Sequence, residues 1–155
     1  MTTVIAISGK AESGKDASAI IMKRLFENFG QNSLIISYAD YLKYICKQYF
    51  DWDGKKDAHG RGLLQHIGTD VVRKKNQYFW VDTVINFIKI FENQYDYFLI
   101  PDCRFPDEVL RLREKGMQTI SLRIERLNYE NSLSEEQRNH LSETSLDDFD
   151  SDATV

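Results

Sequence analysis

A short apolar run followed by a glycine-bounded loop lies near the start of the chain. The run covers residues 4–7, and the loop after it reads Gly9-Lys-Ala-Glu-Ser-Gly-Lys-Asp16. This loop fits the phosphate-binding pattern G-x-x-x-x-G-K-[ST] at every position except the last, where Asp16 replaces serine or threonine. Glycines at both ends allow backbone conformations that are closed to other residues, so successive N–H groups can surround an anion. The sequence therefore predicts a strand, a phosphate-binding loop and a helix.

The predicted helix adds unpaired N–H groups and the positive end of its dipole to the same anion site. Lys15 supplies a mobile positive charge for the β- and γ-phosphates of a nucleotide. The alternative is an ordinary strand–turn–helix in which Ser13 only caps the helix. The candidate nucleotide-binding residues of this stretch are Gly9, Lys10, Ser13, Gly14, Lys15 and Asp16.

Length and charge restrict the class of protein. A chain of 155 residues predicts a single domain over residues 1–155. The net charge of -4 argues against a general nucleic-acid binder, but it leaves room for a small phosphorylated substrate. Two cysteines without CxxC spacing and no apolar leader predict a cytoplasmic protein without a disulfide framework. No apolar run reaches the roughly 20 residues that span a membrane.

Apolar periodicity predicts that strands and helices alternate along the rest of the chain. The predicted strands cover residues 33–38, 97–102 and 118–124. The predicted helices cover residues 15–29, 40–49, 61–75 and 79–92, with one more that ends near residue 116.

Two aspartates follow predicted strands, at the end where ligands bind in open α/β sheets. Asp40 is expected to cap a helix, to face a ligand, or both. Asp102 ends a run of four hydrophobic residues, an arrangement similar to the one that places a carboxylate near Mg²⁺ in P-loop proteins.

Four polar residues recur at every fourth position of the helix predicted over residues 61–75. They are Arg61, Gln65, Thr69 and Arg73. Such a face can line a polar pocket, but periodicity alone favours a face exposed to solvent.

The pattern changes after residue 125. Residues 125–144 are polar with little apolar periodicity, which predicts a mobile, lid-like excursion that carries Arg126 and Arg138. Mobile loops with arginine are what a phosphoryl-transfer enzyme closes over ATP. The last three residues resemble the opening of a further strand, so a C-terminal strand and helix are expected to be missing.

Several segments together resemble the bacteriophage-type deoxynucleoside monophosphate kinases, which have an adenylate-kinase-like P-loop fold. The aspartate after the loop lysine is shared with the phosphomevalonate kinases, the nearest rival family. The runs Gln-His-Ile-Gly-Thr-Asp70 and Arg-Phe-Pro-Asp-Glu108 favour the nucleotide kinases. Glu12 departs from relatives that often carry a neutral or basic residue there. The matching stretches are residues 8–16, 39–43, 64–73 with Phe79-Trp80, 102–108 and, more weakly, 140–144.

The resemblance implies a three-layer α/β/α P-loop fold with a central parallel sheet in the order 2-3-1-4 and a truncated fifth strand. It also implies a helical substrate-binding region over residues 40–80 and a short lid. The implied reaction transfers the γ-phosphoryl group of ATP to a deoxynucleoside 5′-monophosphate with the help of Mg²⁺. No nucleic-acid or membrane partner is expected, and a homodimer is left open.

The resemblance also distributes roles among the candidate residues. Lys15 and the loop N–H groups hold the ATP phosphates, whereas Arg73 and Arg104 hold the acceptor phosphate. Arg126 is the first lid candidate on the ATP side and Arg138 the second. Asp16 and Asp102 are expected to bind Mg²⁺. The residues expected to contact the nucleoside are Asp40, Lys43, Gln65 and Trp80.

Two other functions remain open at this point. One is a P-loop kinase of another small phosphorylated acceptor, such as phosphomevalonate. The other is a nucleotide-binding module without turnover, suggested by the negative charge of Glu12 in the loop and by the expected missing C-terminal segment.

Overall fold

A parallel five-stranded sheet forms the centre of the structure, a computed structural model that describes residues 1–155. Its strand order is β2-β3-β1-β4-β5, and every neighbouring pair is parallel. The predicted order of the first four strands is confirmed, and the last residues pair with β4 as a short fifth strand. The strands are β1 (Thr3–Ser8), β2 (Ser33–Ile35), β3 (Tyr97–Ile100), β4 (Gln118–Arg123) and β5 (Ala153–Thr154).

Strand β1 is buried along its whole length, because it has a neighbouring strand on each side and helices cover both faces of the sheet. Its side chains alternate between two apolar clusters. Val4 and Ala6 belong to the larger cluster, and Ile5 and Ile7 belong to a smaller one on the opposite face. The strand thus divides the core into two halves, one on each side of the sheet.

Helices cover both faces of the sheet. The smaller cluster includes Ala19 of the first helix, whereas the larger one includes apolar residues of the second, fourth and fifth helices. This gives the predicted three-layer α/β/α arrangement. The helices are α1 (Lys15–Asn28), α2 (Ala39–Tyr49), α3 (Ala58–Gln65), α4 (Phe79–Phe91), α5 (Pro106–Glu114), α6 (Glu135–Arg138) and α7 (Leu141–Thr144).

The helix predicted over residues 61–75 differs from the structure. Helix α3 begins earlier, at Ala58, and continues directly into a π-helical segment, His66–Arg73. In an α-helix, which has about 3.6 residues per turn, a step of four residues goes slightly beyond one full turn. In a π-helix, whose hydrogen bonds run from residue i to i+5, the same step falls slightly short of one full turn. The two drifts cancel, so the change of helix type keeps every fourth residue on one face.

Two further differences concern strand β2 and the lid. Strand β2 ends at Ile35 rather than at residue 38, and the chain leaves the sheet there to enter α2. Residues 125–144, the predicted lid segment, contain the short helices α6 and α7. None of the helices is both long and apolar enough to cross a membrane.

Two glycines of α3 offer a matched test of how tightly this region packs. A Cβ on Gly60 would lie 2.0 Å from the carbonyl oxygen of Lys55 and 2.7 Å from Nε1 of Trp52. A Cβ on Gly62 would meet only Nε2 of Gln137, at 3.8 Å. We expect Gly60→Ala to lower the free energy of unfolding by more than about 2 kcal/mol. Gly62→Ala should raise it by about 0.5–1 kcal/mol, because alanine favours a helix over glycine.

Urea unfolding of both variants, followed by circular dichroism, measures the two effects. Equal stabilities for Gly60→Ala and Gly62→Ala would contradict the close approach of the segment around Lys55 to α3.

Candidate active site

The loop between β1 and α1 has the shape that the sequence motif predicts. Gly9 has a φ of 146°, and a Cβ there would lie 2.4 Å from the carbonyl oxygen of Ile124 and 2.7 Å from Oγ of Ser13. Gly14 precedes α1 with a φ of 101°, a left-handed conformation that disfavours any side chain. Gly9 therefore allows the loop to pass close to the end of β4, and Gly14 allows the turn into α1.

Lys15 is the first residue of α1 and folds back into the loop. Its Nζ donates hydrogen bonds to the carbonyl oxygens of Gly9, at 2.8 Å, and Lys10, at 2.7 Å. Burial lowers the pKa of Lys15 from 10.5 to about 8, and the positive charge of Arg104 acts in the same direction. No carboxylate forms a salt bridge with this ammonium group, although nearby acidic groups favour its charged form.

The other loop side chains have different surroundings. Lys10 points toward the C-terminal part of the chain, where its Nζ contacts Oδ1 of Asp147 at 2.5 Å and the carbonyl oxygen of Glu143 at 2.6 Å. The hydroxyl of Ser13 is buried and has no hydrogen-bond partner. Asp16 lies exposed in the first turn of α1.

A cleft of about 300 Å³ opens beside the loop, at the carboxyl ends of β1 and β3. Most of the residues predicted for the site contribute to its lining. These are Lys15, Asp16, Lys43, Gln65, Arg73, Trp80, Asp102 and Arg104.

The polar face of α3 and the π-helical segment also lines this cleft. Arg61, Gln65, Thr69 and Arg73 all contribute to the wall, so the expectation of a solvent-exposed face was wrong. Periodicity could not reveal this, because the cleft is formed by the loop and by β3, which are distant in the sequence.

Two arginines face the cleft from different supports. The Arg73 guanidinium pairs with Asp107 at 2.5 Å, donates to the carbonyl oxygen of Gln77, and lies 3.6 Å from the ring centre of Phe105. Arg104 is more exposed and lies 3.7 Å from Oε1 of Glu143. Arg73 is therefore held from three sides, whereas Arg104 has one weaker partner.

Asp102 connects the end of β3 to the start of α2. Its carboxylate accepts hydrogen bonds from the backbone N–H groups of Tyr38, at 3.0 Å, and Ala39, at 2.9 Å. Burial raises the pKa of Asp102, while these hydrogen bonds and the charges of Arg104 and Lys43 oppose the rise. The N-terminus of α2 is thus capped from a neighbouring strand.

Asp40 and Trp80, two of the residues predicted to contact the nucleoside, have defined contacts within the protein. Asp40 is the second residue of α2 rather than its cap, and Oδ2 accepts a hydrogen bond from the N–H of Ser37 at 3.1 Å. Asp40 does not line the cleft. Trp80 is only 7% exposed, and Nε1 donates to the carbonyl oxygen of Gly68 at 2.9 Å. Its ring forms part of the inner wall of the cleft.

The lid arginines lie on the other side of the loop. Arg126 donates to the carbonyl oxygen of Glu12 at 3.2 Å and lies 3.6 Å from the ring centre of Tyr129. Together with Lys10 and Ser13, it lines a second cavity of about 220 Å³. Arg138 instead donates to the side chain and carbonyl oxygen of Asn131, and it lines neither cavity.

Three glutamates that sequence reasoning did not select take part in the site. The Glu143 side chain is 6% exposed, and Oε2 accepts a hydrogen bond from the N–H of Ala11 in the loop. Glu108 is buried below Arg104, and Glu12 faces the lid. The sequence signals were the family match of residues 102–108 for Glu108, the weaker match of residues 140–144 for Glu143, and the unusual charge of Glu12.

Glu108 is a buried carboxyl group at the start of α5. Its Oε2 accepts hydrogen bonds from the N–H groups of Arg104, at 2.7 Å, and Phe105, at 3.1 Å. Burial raises the pKa of Glu108 from 4.5 to about 7, against the effect of these hydrogen bonds. The group therefore holds the backbone on which Arg104 is mounted.

The raised pKa of Glu108 gives a prediction for stability. As pH rises from 4.5 to 7, the unfolded chain loses this proton before the folded protein does. The free energy of unfolding should therefore fall by about 3 kcal/mol on account of this group. Glu108→Gln stays neutral and keeps an oxygen that accepts both N–H groups, so it should lack this fall. Urea unfolding at several pH values tests this, with Glu92→Gln on the surface as the control; parallel curves for Glu108→Gln and the parent protein would refute it.

Comparisons with known proteins bear on the class of the site. The sequence model of a family described as deoxynucleotide monophosphate kinase matches residues 30–155. A search of curated proteins finds no significant match. Among solved structures, the Cys556Ala mutant of the APS kinase CysC from Mycobacterium tuberculosis is similar at 12% identity and a TM-score of 0.49. That likeness covers 99% of this chain and 85% of the other, and a score at this level indicates only a distant similarity.

The family match begins after the phosphate-binding loop, so the loop at residues 9–15 is independent support for it. The match also covers most of the cleft, from β2 through the π-helical segment to the lid. A kinase family with a P-loop of this kind indicates a phosphotransferase that uses a nucleotide. The chain belongs to the deoxynucleotide monophosphate kinase family.

Proposed function

We propose that the protein transfers the γ-phosphoryl group of ATP to a deoxynucleoside 5′-monophosphate, producing ADP and a deoxynucleoside diphosphate. One observation carries this proposal: the loop lysine and two arginines line the same cleft at the carboxyl edge of the sheet. A cleft with cationic groups at two places suits two phosphates that approach each other. A module that only binds a nucleotide does not need the second set of cationic groups.

Electrostatic repulsion is the main obstacle to this reaction. Two like charges 4 Å apart repel by about 4 kcal/mol at an effective dielectric constant near 20, and each phosphate carries more than one charge. The acceptor oxygen is already largely ionised near pH 7, so the reaction needs no general base. Its catalysts are cations that offset repulsion in the transition state.

On the donor side, we assign Lys15 and the loop N–H groups to the ATP phosphates. Lys15 has no salt-bridge partner and is largely desolvated, so an anion in the loop would be attracted by a positive charge that no carboxylate neutralises. Arg126, Lys10 and Ser13 surround the neighbouring cavity, which suits the rest of the nucleotide. Arg138 stays a second lid candidate, and a role for it would need a movement of the lid.

On the acceptor side, we assign Arg73 and Arg104 to the monophosphate. Guanidinium groups suit this task because their planar donors match two phosphate oxygens at once. Lys43 and Gln65 line the same cleft and are assigned to the nucleoside, with Trp80 as its apolar wall. Asp40 is proposed to act through the start of α2 rather than by contact.

The carboxylates of Asp16 and Asp102 are proposed as partners of Mg²⁺, directly or through water. Both line the cleft, and their oxygens are the ligand type that this ion prefers. Mg²⁺ commonly keeps several waters and binds phosphates, so it does not need a group of three protein ligands, and none is found. When bound, the ion would neutralise phosphate charge.

The direct test measures ADP formation from ATP and Mg²⁺ with each deoxynucleoside monophosphate in turn. Turnover with one or more of them, and none with phosphomevalonate, would support the proposal and name the base. Turnover with phosphomevalonate alone would favour the rival kinase. ATP binding without any turnover would favour a binding module. Cytoplasmic location stays a prediction, and a homodimer stays open.

Lys15→Ala should reduce ADP formation to background, because the loop would lose its buried charge. The protein should remain folded, since the ammonium contacts only loop carbonyl groups. Lys23→Ala is a matched control, because Lys23 lies on the same helix and pairs with Glu27. Activity assays and circular dichroism on both variants check this; activity retained by Lys15→Ala would remove the loop from the mechanism.

A further inference from the structure

Glu12, at the tip of the phosphate-binding loop, is a residue that the proposed reaction does not use. A negative charge beside donor phosphates is unfavourable, and its backbone has a φ of 63°, which few residues other than glycine adopt. An unfavourable charge and an uncommon backbone conformation at one position call for a compensating interaction.

The carboxylate of Glu12 is turned away from the loop and toward the lid. Oε2 accepts hydrogen bonds from the N–H of Ser132 and the hydroxyl of Tyr129, both at 3.0 Å. Oε1 accepts a hydrogen bond from the Ser132 hydroxyl and pairs with the Arg61 guanidinium at 3.1 Å. These hydrogen bonds, led by those from Ser132, lower the pKa of Glu12 to about 2, so the group is ionised at any working pH.

The same contacts fix the position of Arg126. Its guanidinium lies over the ring of Tyr129 and donates to the carbonyl oxygen of Glu12, while the Tyr129 hydroxyl donates to the Glu12 carboxylate. The three residues form a closed circuit. Arg126 is therefore placed relative to the loop through both the backbone and the side chain of Glu12.

Arg61 extends the circuit to the acceptor side of the cleft. One of its nitrogens reaches Glu12 and another donates to the Ser132 hydroxyl at 2.7 Å. Leu133, the next residue of the lid, is 5% exposed and lines the large cleft. Loop, lid and α3 thus meet at one carboxylate, and the lid lies against both sides of the site.

We propose that Glu12 is a positioning residue that holds the lid segment closed on the phosphate-binding loop and keeps Arg126 in place before the nucleotide binds. Its kinetic consequence rests on the proposed kinase function, but its structural consequence does not. Without the Glu12 side chain, the lid would spend less time in the closed arrangement. A nucleotide that binds the closed form would then bind more weakly in proportion to the lost fraction.

Two variants separate the side chain from the backbone. Glu12→Gln keeps the shape but loses the charge and one acceptor oxygen. Glu12→Gly removes the side chain, and glycine is unstrained at a φ of 63°, so the loop should stay folded. Glu136→Gln is the control, because Glu136 is an exposed lid carboxylate with no side-chain partner in the structure.

Hydrogen exchange of residues 126–134 in the free protein tests the proposal without any assay of activity. We expect the Ser132 N–H to exchange about tenfold faster in Glu12→Gly, and by a smaller factor in Glu12→Gln. Glu136→Gln should exchange at the rate of the parent protein. An unchanged rate in Glu12→Gly would overturn the proposal, whatever the enzyme does.

Kinetics then separate positioning from a general loss of structure. In an active enzyme, Glu12→Gly should raise the KM for ATP about tenfold and change kcat by less than about twofold, because the closed form is scarcer but otherwise intact. A lower kcat with an unchanged KM for ATP would contradict the positioning role. If the parent protein makes no ADP but exchange rises as expected, the kinase proposal fails and the role of Glu12 in the lid stands.

Discussion

The carboxylate of Asp102 is the contact on which the cleft depends. By accepting the N–H groups of Tyr38 and Ala39, it fixes the start of α2 at the end of β3. Helix α2 then supplies Leu42, whose methyl group lies so close to Gly68 that a Cβ there would come within 2.7 Å of it. The carbonyl oxygen of Gly68 in turn accepts the hydrogen bond of Trp80. One strand-end carboxylate thus links β3 to α2, and through it to the π-helical segment and α4. A metal role for Asp102 would have to use lone pairs that these two N–H groups leave free.

Four cations of the site are paired with acidic side chains, which helps an acidic chain to bring its cations together. Arg73 pairs with Asp107, Arg104 lies near Glu143, Arg61 pairs with Glu12, and Lys10 pairs with Asp147. Each acid orients its partner and reduces the repulsion among the cations. A phosphate that reaches Arg104 has to compete with the Glu143 carboxylate, which also contacts the loop at Ala11. Entry of the substrates is therefore expected to rearrange Glu143 and Arg104 together.

Local sequence patterns predicted the loop and the strands because both follow from short-range chemistry. Gly9, Gly14 and Lys15 have their roles within one turn of chain, and the strands follow from apolar runs, whereas their order in the sheet was implied by the family resemblance. The π-helical segment was missed because periodicity does not distinguish π from α turns over eight residues. Glu12 and Glu143 were missed for another reason. The contacts of Glu12 with Ser132 and of Glu143 with Ala11 join residues more than a hundred positions apart in the chain, and no local pattern encodes such a contact.

Lys15 differs from the arginines of the cleft in having carbonyl groups rather than a carboxylate as its partners. Burial lowers its pKa to about 8, so the charged form is less favoured here than it is for a lysine in water. An incoming phosphate reverses this, because an opposite charge at close range favours the ammonium form. In the proposed reaction, the donor phosphates would meet a lysine without a salt bridge, whereas the acceptor phosphate would meet guanidinium groups that carboxylates already orient. The donor phosphates would thus be held mainly by charge attraction to Lys15, and the acceptor phosphate mainly by guanidinium groups that are already oriented.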